Sequence, residues 1–239
     1  MNFQNIKLPQ QITPCPITEA VVEIRFESKI PGEVIPGLLF TKFGTALRDM
    51  QKLPILDLPS SLIEHDPNLR FSPQYKATMG DYVIQFGPRC VSVACVGEYK
   101  GWSDFSAKIQ VVFSGIFELG IIDKSLRLGV RYISFLNNMD IFPNLSIDLN
   151  VAGNSLIGQS NIIRSEFEIE TFKCALQIAN TSIANFQQGS SIDIDILTVD
   201  SAEITSNYSS LIDNAHTLEK KIFFNLLKDD FLKSLKPVY

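Results

Sequence analysis

The sequence predicts an α+β protein: a mainly antiparallel sheet with helices packed on one face, its first half a split βαβ (ferredoxin-like) arrangement, its second half β-rich and closed by a long C-terminal helix. Three observations carry this. Runs such as EAVVEIRF alternate apolar and polar residues with period 2, as a strand buried on one face must. WSDFSAKIQVVFSGIF switches to helical spacing. The C-terminal segment carries two apolar stripes side by side at that same spacing.

Composition sets the frame. With 239 residues, 45% hydrophobic and 20% charged, the chain can bury a substantial core in one large or two closely packed domains. Residues 1–139 are read as an N-terminal α+β half and 140–239 as a β-rich half with the terminal helix, packed as one unit. The net charge of -5 argues against nucleic-acid binding through a basic face, leaving such binding unsupported. Cys15, Cys90, Cys95 and Cys174 form no CxxC pair, so they read as reduced and mostly buried, with neither zinc site nor disulfide framework. The N-terminus has no apolar signal-peptide core and no window approaches the length of a membrane span, so the expected location is the cytoplasm.

Taken in order, MNFQNIKLPQQITPCPITEA is an extended lead-in. Ala20, Val22, Ile24 and Phe26 then alternate with Val21, Glu23, Arg25 and Glu27 in a first strand. Ile35, Leu39, Phe43, Ala46 and Met50 recur at helical spacing with Pro36 early, predicting one helix through this stretch. From Lys52 to Pro73 four prolines and little pattern predict a long loop wrapping the domain edge, a length that often goes with function. QYKATMG, DYVIQFG and RCVSVACV read as a three-strand meander. A helix follows with Ser103 as its expected N-cap, and then the strand SLRLGVRYISFLNN. In the second half, SIDLNV, NIIRSEFEIE, KCALQIANTSI and GSSIDIDILTVDS read as strands, separated by VAGNSLIGQSN and ANFQQGSS. The final helix is expected from about Leu211 to Leu235.

The strand SLRLGVRYISFLNN poses the main question, because it holds Arg127 and Arg131 with Gly129 between them. If Leu126, Leu128, Val130 and Tyr132 face the helices, Arg127, Gly129, Arg131 and Ile133 lie on the opposite face. In a split βαβ sheet that face also carries Glu23 and Arg25 of the neighbouring first strand. SSIDIDIL repeats the pattern, with Asp193 and Asp195 on one face and their Cβ atoms about 7 Å apart. These groups predict a charge ladder or ion-pair network; a ligand or partner surface and a divalent-cation site are the alternatives. If the face is covered, each guanidinium must be paired, since one left buried alone costs about 3 to 5 kcal/mol.

No catalytic residue is assigned. His65 and His216 are the only histidines; His65 lies in the proline loop, and His216 is expected on the solvent side of the last helix. No phosphate-binding loop, HExxH or nucleophile elbow occurs. Trp102 with Tyr99 could form an aromatic recognition patch or a packing anchor. The binding candidates are Glu23, Arg25, Trp102, Arg127, Arg131, Asp193 and Asp195, with no metal and no cofactor assigned.

PITEAVVEIRF, YKGW, RLGVRYISF, IDIDI and the helix continuing KKIFFNLL together resemble a sporadically distributed family of uncharacterised bacterial proteins of about this length. The resemblance implies a complete cytoplasmic protein of accessory or mobile gene clusters, and supplies no catalytic residues. Ser134 departs from it, standing where asparagine is expected after RYI. The resulting expectation is a non-catalytic binding or interaction protein acting with a protein partner or as a homo-oligomer, in an accessory complex such as a toxin–antitoxin or antiphage defence system. A metal-dependent enzyme acting on a nucleotide or phosphorylated substrate is the alternative, as is a nucleic-acid-binding module.

Overall fold

The computed structural model describes residues 6–184 and 187–239. Its elements, in chain order, begin with strand β1 (Ile17–Ser28), helix α1 (Ile35–Phe43), strand β2 (Arg48–Lys52) and helix α2 (Ser60–His65). The meander β3 (Tyr75–Met79), β4 (Tyr82–Gly87) and β5 (Cys90–Val96) follows, then helix α3 (Trp102–Glu118) and the long strand β6 (Ile122–Asn137). A small hairpin of β7 (Asn150–Val151) and β8 (Asn154–Ser155) precedes β9 (Ile162–Ile169), β10 (Phe172–Ala184) and β11 (Gln187–Thr198). Helices α4 (Ser201–Leu226) and α5 (Asp229–Ser234) end the chain. The protein is α+β, with nine strands in one antiparallel sheet of order β2-β3-β4-β5-β1-β6-β11-β10-β9. No helix among the described residues is long and apolar enough to cross a membrane.

The chain divides into two compact units. One comprises Ala20–Val130 and Thr198–Ile212; the other comprises the described part of Met1–Glu19 with Arg131–Leu197 and Asp213–Tyr239. In the first, Ala20, Val22, Ile24 and Phe26 are fully buried, and Phe105, Ile109, Val112, Phe113 and Ile116 of α3 are too. The period-2 and helical readings of these segments therefore hold residue by residue. Gly115 lets α1 approach α3, because a Cβ there would stand 2.7 Å from the Phe43 ring. Tyr208 of α4 stacks on Phe117 of α3 with ring centroids 4.6 Å apart.

In the second unit β10 lies between β9 and β11, its register placing Gln177 opposite Asp193 and Ala175 opposite Asp195. Gly189 of β11 fits closely against β6, where a Cβ would stand only 2.2 Å from the Leu136 carbonyl oxygen. On the last helical segment Leu211, Ala215, Leu218 and Ile222 of one apolar stripe are buried while Leu226 is half-buried, and Phe223, Leu227 and Phe231 of the other are buried.

Several boundaries differ from the sequence reading. The first helix stops at Phe43, because Gly44 takes φ 52° and ψ -130°, a conformation only glycine enters cheaply. Met50 is consequently exposed on β2 rather than buried on a helix. The proline stretch is not unstructured throughout, since α2 and a short 3-10 turn at Pro54–Asp57 occupy it. Ser103 is not the cap of α3; Gly101, at φ 99°, precedes a helix that begins at Trp102. Only Asn150 and Val151 of SIDLNV are in a strand.

The last helix begins at Ser201, ten residues before the expected start, where Asp200 Oδ1 accepts the Glu203 N–H at 3.0 Å in the manner of an N-cap. It is kinked at Asn207 and interrupted before α5, because Lys228 is extended. The turn read in ANFQQGSS includes residues 185–186, and the lead-in includes residues 1–5; both lie outside the described residues.

Candidate functional site

The polar face of β1 is built from alternate residues, so Glu23, Arg25 and Glu27 project together while Val22, Ile24 and Phe26 are buried. Glu23 Oε1 accepts from two guanidiniums: Arg25 Nε at 2.6 Å and Arg127 Nη1 at 2.9 Å. Arg127 reaches it by lying over Gly129. A Cβ at that glycine would stand 2.4 Å from Arg127 Nη1 and 2.7 Å from Cζ. The glycine between the two arginines is thus the space that one of them occupies. The Arg127 and Glu23 side chains are 17% and 19% exposed, so this pair is largely withdrawn from solvent screening.

The proline loop folds onto the same face. Arg70 Nη2 donates to Glu27 Oε1 at 2.9 Å, and Arg89 links Glu27, at 3.3 Å, to Glu64, at 3.0 Å. The Phe71 ring receives two guanidiniums, with the Arg25 and Arg70 Cζ atoms each 5.6 Å from its centroid. Under this loop is a cavity of about 280 Å³, lined by Ile30, Leu56, Leu58 and Ile63 on its apolar side and by Glu27, Glu64 and Arg89 on its charged side. The recess is more polar than a usual small-molecule site and slightly smaller than such sites run.

The other unit holds Arg131 and Asp193. Arg131 Nε donates to Asp193 Oδ1 at 2.8 Å and Nη2 to Oδ2 at 2.6 Å, a bidentate pair matching the guanidinium fork to the carboxylate. Asp193's hydrogen bond raises the already high pKa of Arg131 further, with Asp195 and Glu19 adding to the effect and burial opposing it. Asp195 lies two residues along β11 on the same half-buried face. Among the described residues no group of three or more His, Cys, Asp or Glu side chains is placed to hold a metal ion.

Trp102 sits at the start of α3 and meets Phe105 edge to face, with centroids 6.2 Å apart. Phe105 also receives the edge of Tyr99 and stacks on Tyr82, whose hydroxyl donates to Asp104 Oδ2 at 2.5 Å. The aromatic group is thus organised around a fully buried ring.

His216 corrects the expectation of a solvent-facing histidine. It is 8% exposed and lies 5.5 Å from the ring of buried Tyr132. One turn on, Glu219 is 6% exposed, with its carboxyl pushed up to about 8 by burial. Burial likewise brings His216 down to about 3, Lys220 adding to the effect. Cys174 is buried nearby in the same unit, and its thiol is raised to about 12 by burial, then by Asp195 and Glu219. A signal for these residues exists in the sequence: Ile212, His216, Glu219 and Phe223 are spaced i, i+4, i+7, i+11, continuing one apolar stripe through two polar residues.

In comparison with known proteins, no protein-family model matches the chain and no curated protein does.

Proposed function

We propose that this is a non-catalytic binding protein, a component of an accessory prokaryotic complex of the toxin–antitoxin or antiphage defence kind. The observation that carries the binding reading is the mutual engagement of the charged groups. Asp193 gives both carboxylate oxygens to Arg131, and Glu23 is shared by Arg25 and Arg127. An arginine clamp for phosphate, or a carboxylate pair for a cation, would have to break these pairs before acting, at the cost of the charge-assisted bonds that hold them. A network already satisfied is better suited to fixing a surface than to performing chemistry. The cavity beneath the proline loop supports the same reading, since it offers a partner one recess for an inserted side chain. The accessory setting rests on the sequence resemblance alone.

The test has two arms. The tagged chain, expressed from its own locus and purified under mild conditions, is expected to bring down one stoichiometric partner whose retention is lost when Ser60→Trp fills the recess. Thermal midpoints with magnesium or manganese and a nucleotide panel are expected to stay level. Recovery of the chain alone, or a metal-dependent nucleotide shift abolished by Asp193→Asn, would overturn the reading.

A further inference from the structure

The two edges of the sheet are finished differently. β2 is a five-residue strand with a register shift between Arg48 and Gln51, and Asp49 within it takes φ 52°. With Arg48, Asp49 and Lys52 all exposed, it has the features that discourage another strand from adding: shortness, charge and an irregular ladder. β9, at the opposite edge, is charged too, through exposed Arg164, Glu166 and Glu168, but it is neither short nor irregular. Its eight residues pair with β10 in continuous register from Ile162 opposite Ala179 to Ile169 opposite Phe172. It contains no proline, glycine or lysine, and Ile162 is 69% exposed. Ile183, on the neighbouring β10, is 70% exposed.

The side chains of β9 say what would pair with it. Alternate residues Ile162, Arg164, Glu166 and Glu168 share one face of the sheet, and Ile163, Ser165, Phe167 and Ile169 share the other. Two copies meeting antiparallel about a two-fold axis must place residues of the same face opposite one another. With Ser165 facing its counterpart, Arg164 of each copy faces Glu166 of the other, and Ile163 of each faces Phe167 of the other. Moving the axis to Arg164 sets arginine against arginine. Moving it to Glu166 sets glutamate against glutamate, and moving it to Phe167 sets Glu166 against Glu168. The register centred on Ser165 avoids these like-charge pairs and combines two opposite-charge pairs on one face with two apolar pairs on the other.

The geometry points to β9 as a dimerisation edge: a second copy of this chain adds its own β9 antiparallel, centred on Ser165. The inference goes beyond the proposed function and does not depend on it, because it uses only the edge strand and its side-chain pattern. Arg164 Nη2 and Glu166 Oε1 already form an ion pair at 2.7 Å within one chain, both largely exposed. Dimerisation exchanges one such weak local pair in each chain for two cross-strand pairs.

Sedimentation equilibrium over a concentration series, with circular dichroism to check folding, tests it. The wild-type chain is expected to dimerise, more weakly at high salt. Arg164→Glu and Glu166→Arg, each placing like charges opposite twice, are expected to weaken the dimer by at least about tenfold. An equimolar mixture of these two variants restores opposite charges at both positions and is expected to recover a heterodimer, as is the double variant R164E/E166R on its own. A wild-type chain that stays monomeric, open-ended oligomers, single variants that dimerise as the wild type does, or a mixture that remains monomeric would each overturn the inference.

Discussion

The guanidinium of Arg127 lies on the α-carbon of Gly129, filling the space that any other residue's β-carbon would take. The pair explains why a mostly buried strand carries arginine two residues from glycine. It also sets a first prediction. Gly129→Ala is expected to push Arg127 away from Glu23 and cost about 1 to 2 kcal/mol, measured by urea unfolding, because the displaced atoms belong to a flexible side chain. In a Glu23→Gln background the same substitution should cost less, since the bond it disturbs is already weakened; strictly additive effects would contradict this coupling.

Gly189→Ala provides the contrast. Here the obstruction is the Leu136 carbonyl oxygen at 2.2 Å, which belongs to a paired strand and has no rotamer to change. The expected loss is about 2 to 4 kcal/mol, larger than at Gly129. Equal losses at the two glycines would show that backbone and side-chain obstruction are not distinguished here.

The Arg131–Asp193 pair predicts a substitution order. Arg131 is 47% exposed and Asp193 18%, so removing the arginine strands a carboxylate that water can only partly reach. Arg131→Lys keeps the charge but loses the second hydrogen bond, and is expected to cost about 0.5 kcal/mol against about 1 to 2 kcal/mol for Arg131→Ala. Thermal or urea unfolding of both variants checks this, with alanine no worse than lysine as the contrary result.

Buried His216 and Glu219 predict the shape of the stability–pH curve. Glu219 stays protonated in the fold up to about 8, whereas the unfolded chain loses that proton near 4.5; between these values stability falls as pH rises. His216 refuses a proton in the fold down to about 3, while the unfolded chain takes one near 6.5; between these values stability rises with pH. The two slopes oppose each other from about 4.5 to 6.5, leaving a plateau with a decline on either side. Each decline should reach on the order of a few kcal/mol. Glu219→Gln should flatten the alkaline decline and His216→Phe the acid one, as read from unfolding midpoints; an alkaline decline unchanged in Glu219→Gln would assign it elsewhere.

The thiols are predicted to separate by access. Cys15 is exposed and Cys90, Cys95 and Cys174 are buried, and the raised pKa of all four keeps them as thiols at neutral pH. A chromogenic disulfide reagent should therefore titrate one thiol in the native protein, slowly, and four in denaturant. Prompt modification of two or more native thiols would contradict the packing.

What was legible in the sequence was periodicity. Val22, Ile24 and Phe26 against Glu23 and Arg25, or Ile109, Val112 and Ile116, state their own burial because one face of each element is uniformly apolar. What was not legible depended on single residues or on distant chain segments. Gly44 ended a helix whose apolar spacing ran on through Ala46 and Met50, since spacing says nothing of a left-handed backbone. At the charged face, the chemistry of Glu23 with Arg127 followed from strand neighbourhood. The loop residues Arg70 and Phe71 that cover β1 did not, because no pattern in Lys52 to Pro73 says where that stretch will lie. His216 was misplaced because one polar residue on an apolar stripe looks like the stripe's edge until Glu219, one turn later, is read with it.

β6 runs sixteen residues from Ile122 to Asn137, placing Leu128, Val130 and Tyr132 in the core while Arg127 and Arg131 project from the other face. Inserting or deleting one residue near its start would turn every later side chain over, driving Arg131 inward and the Tyr132 ring outward. Natural variants of this strand should therefore change letters freely at Asp123 and Lys124 yet keep a constant spacing between Gly120 and Asn138, so that length, more than composition, is what selection guards there.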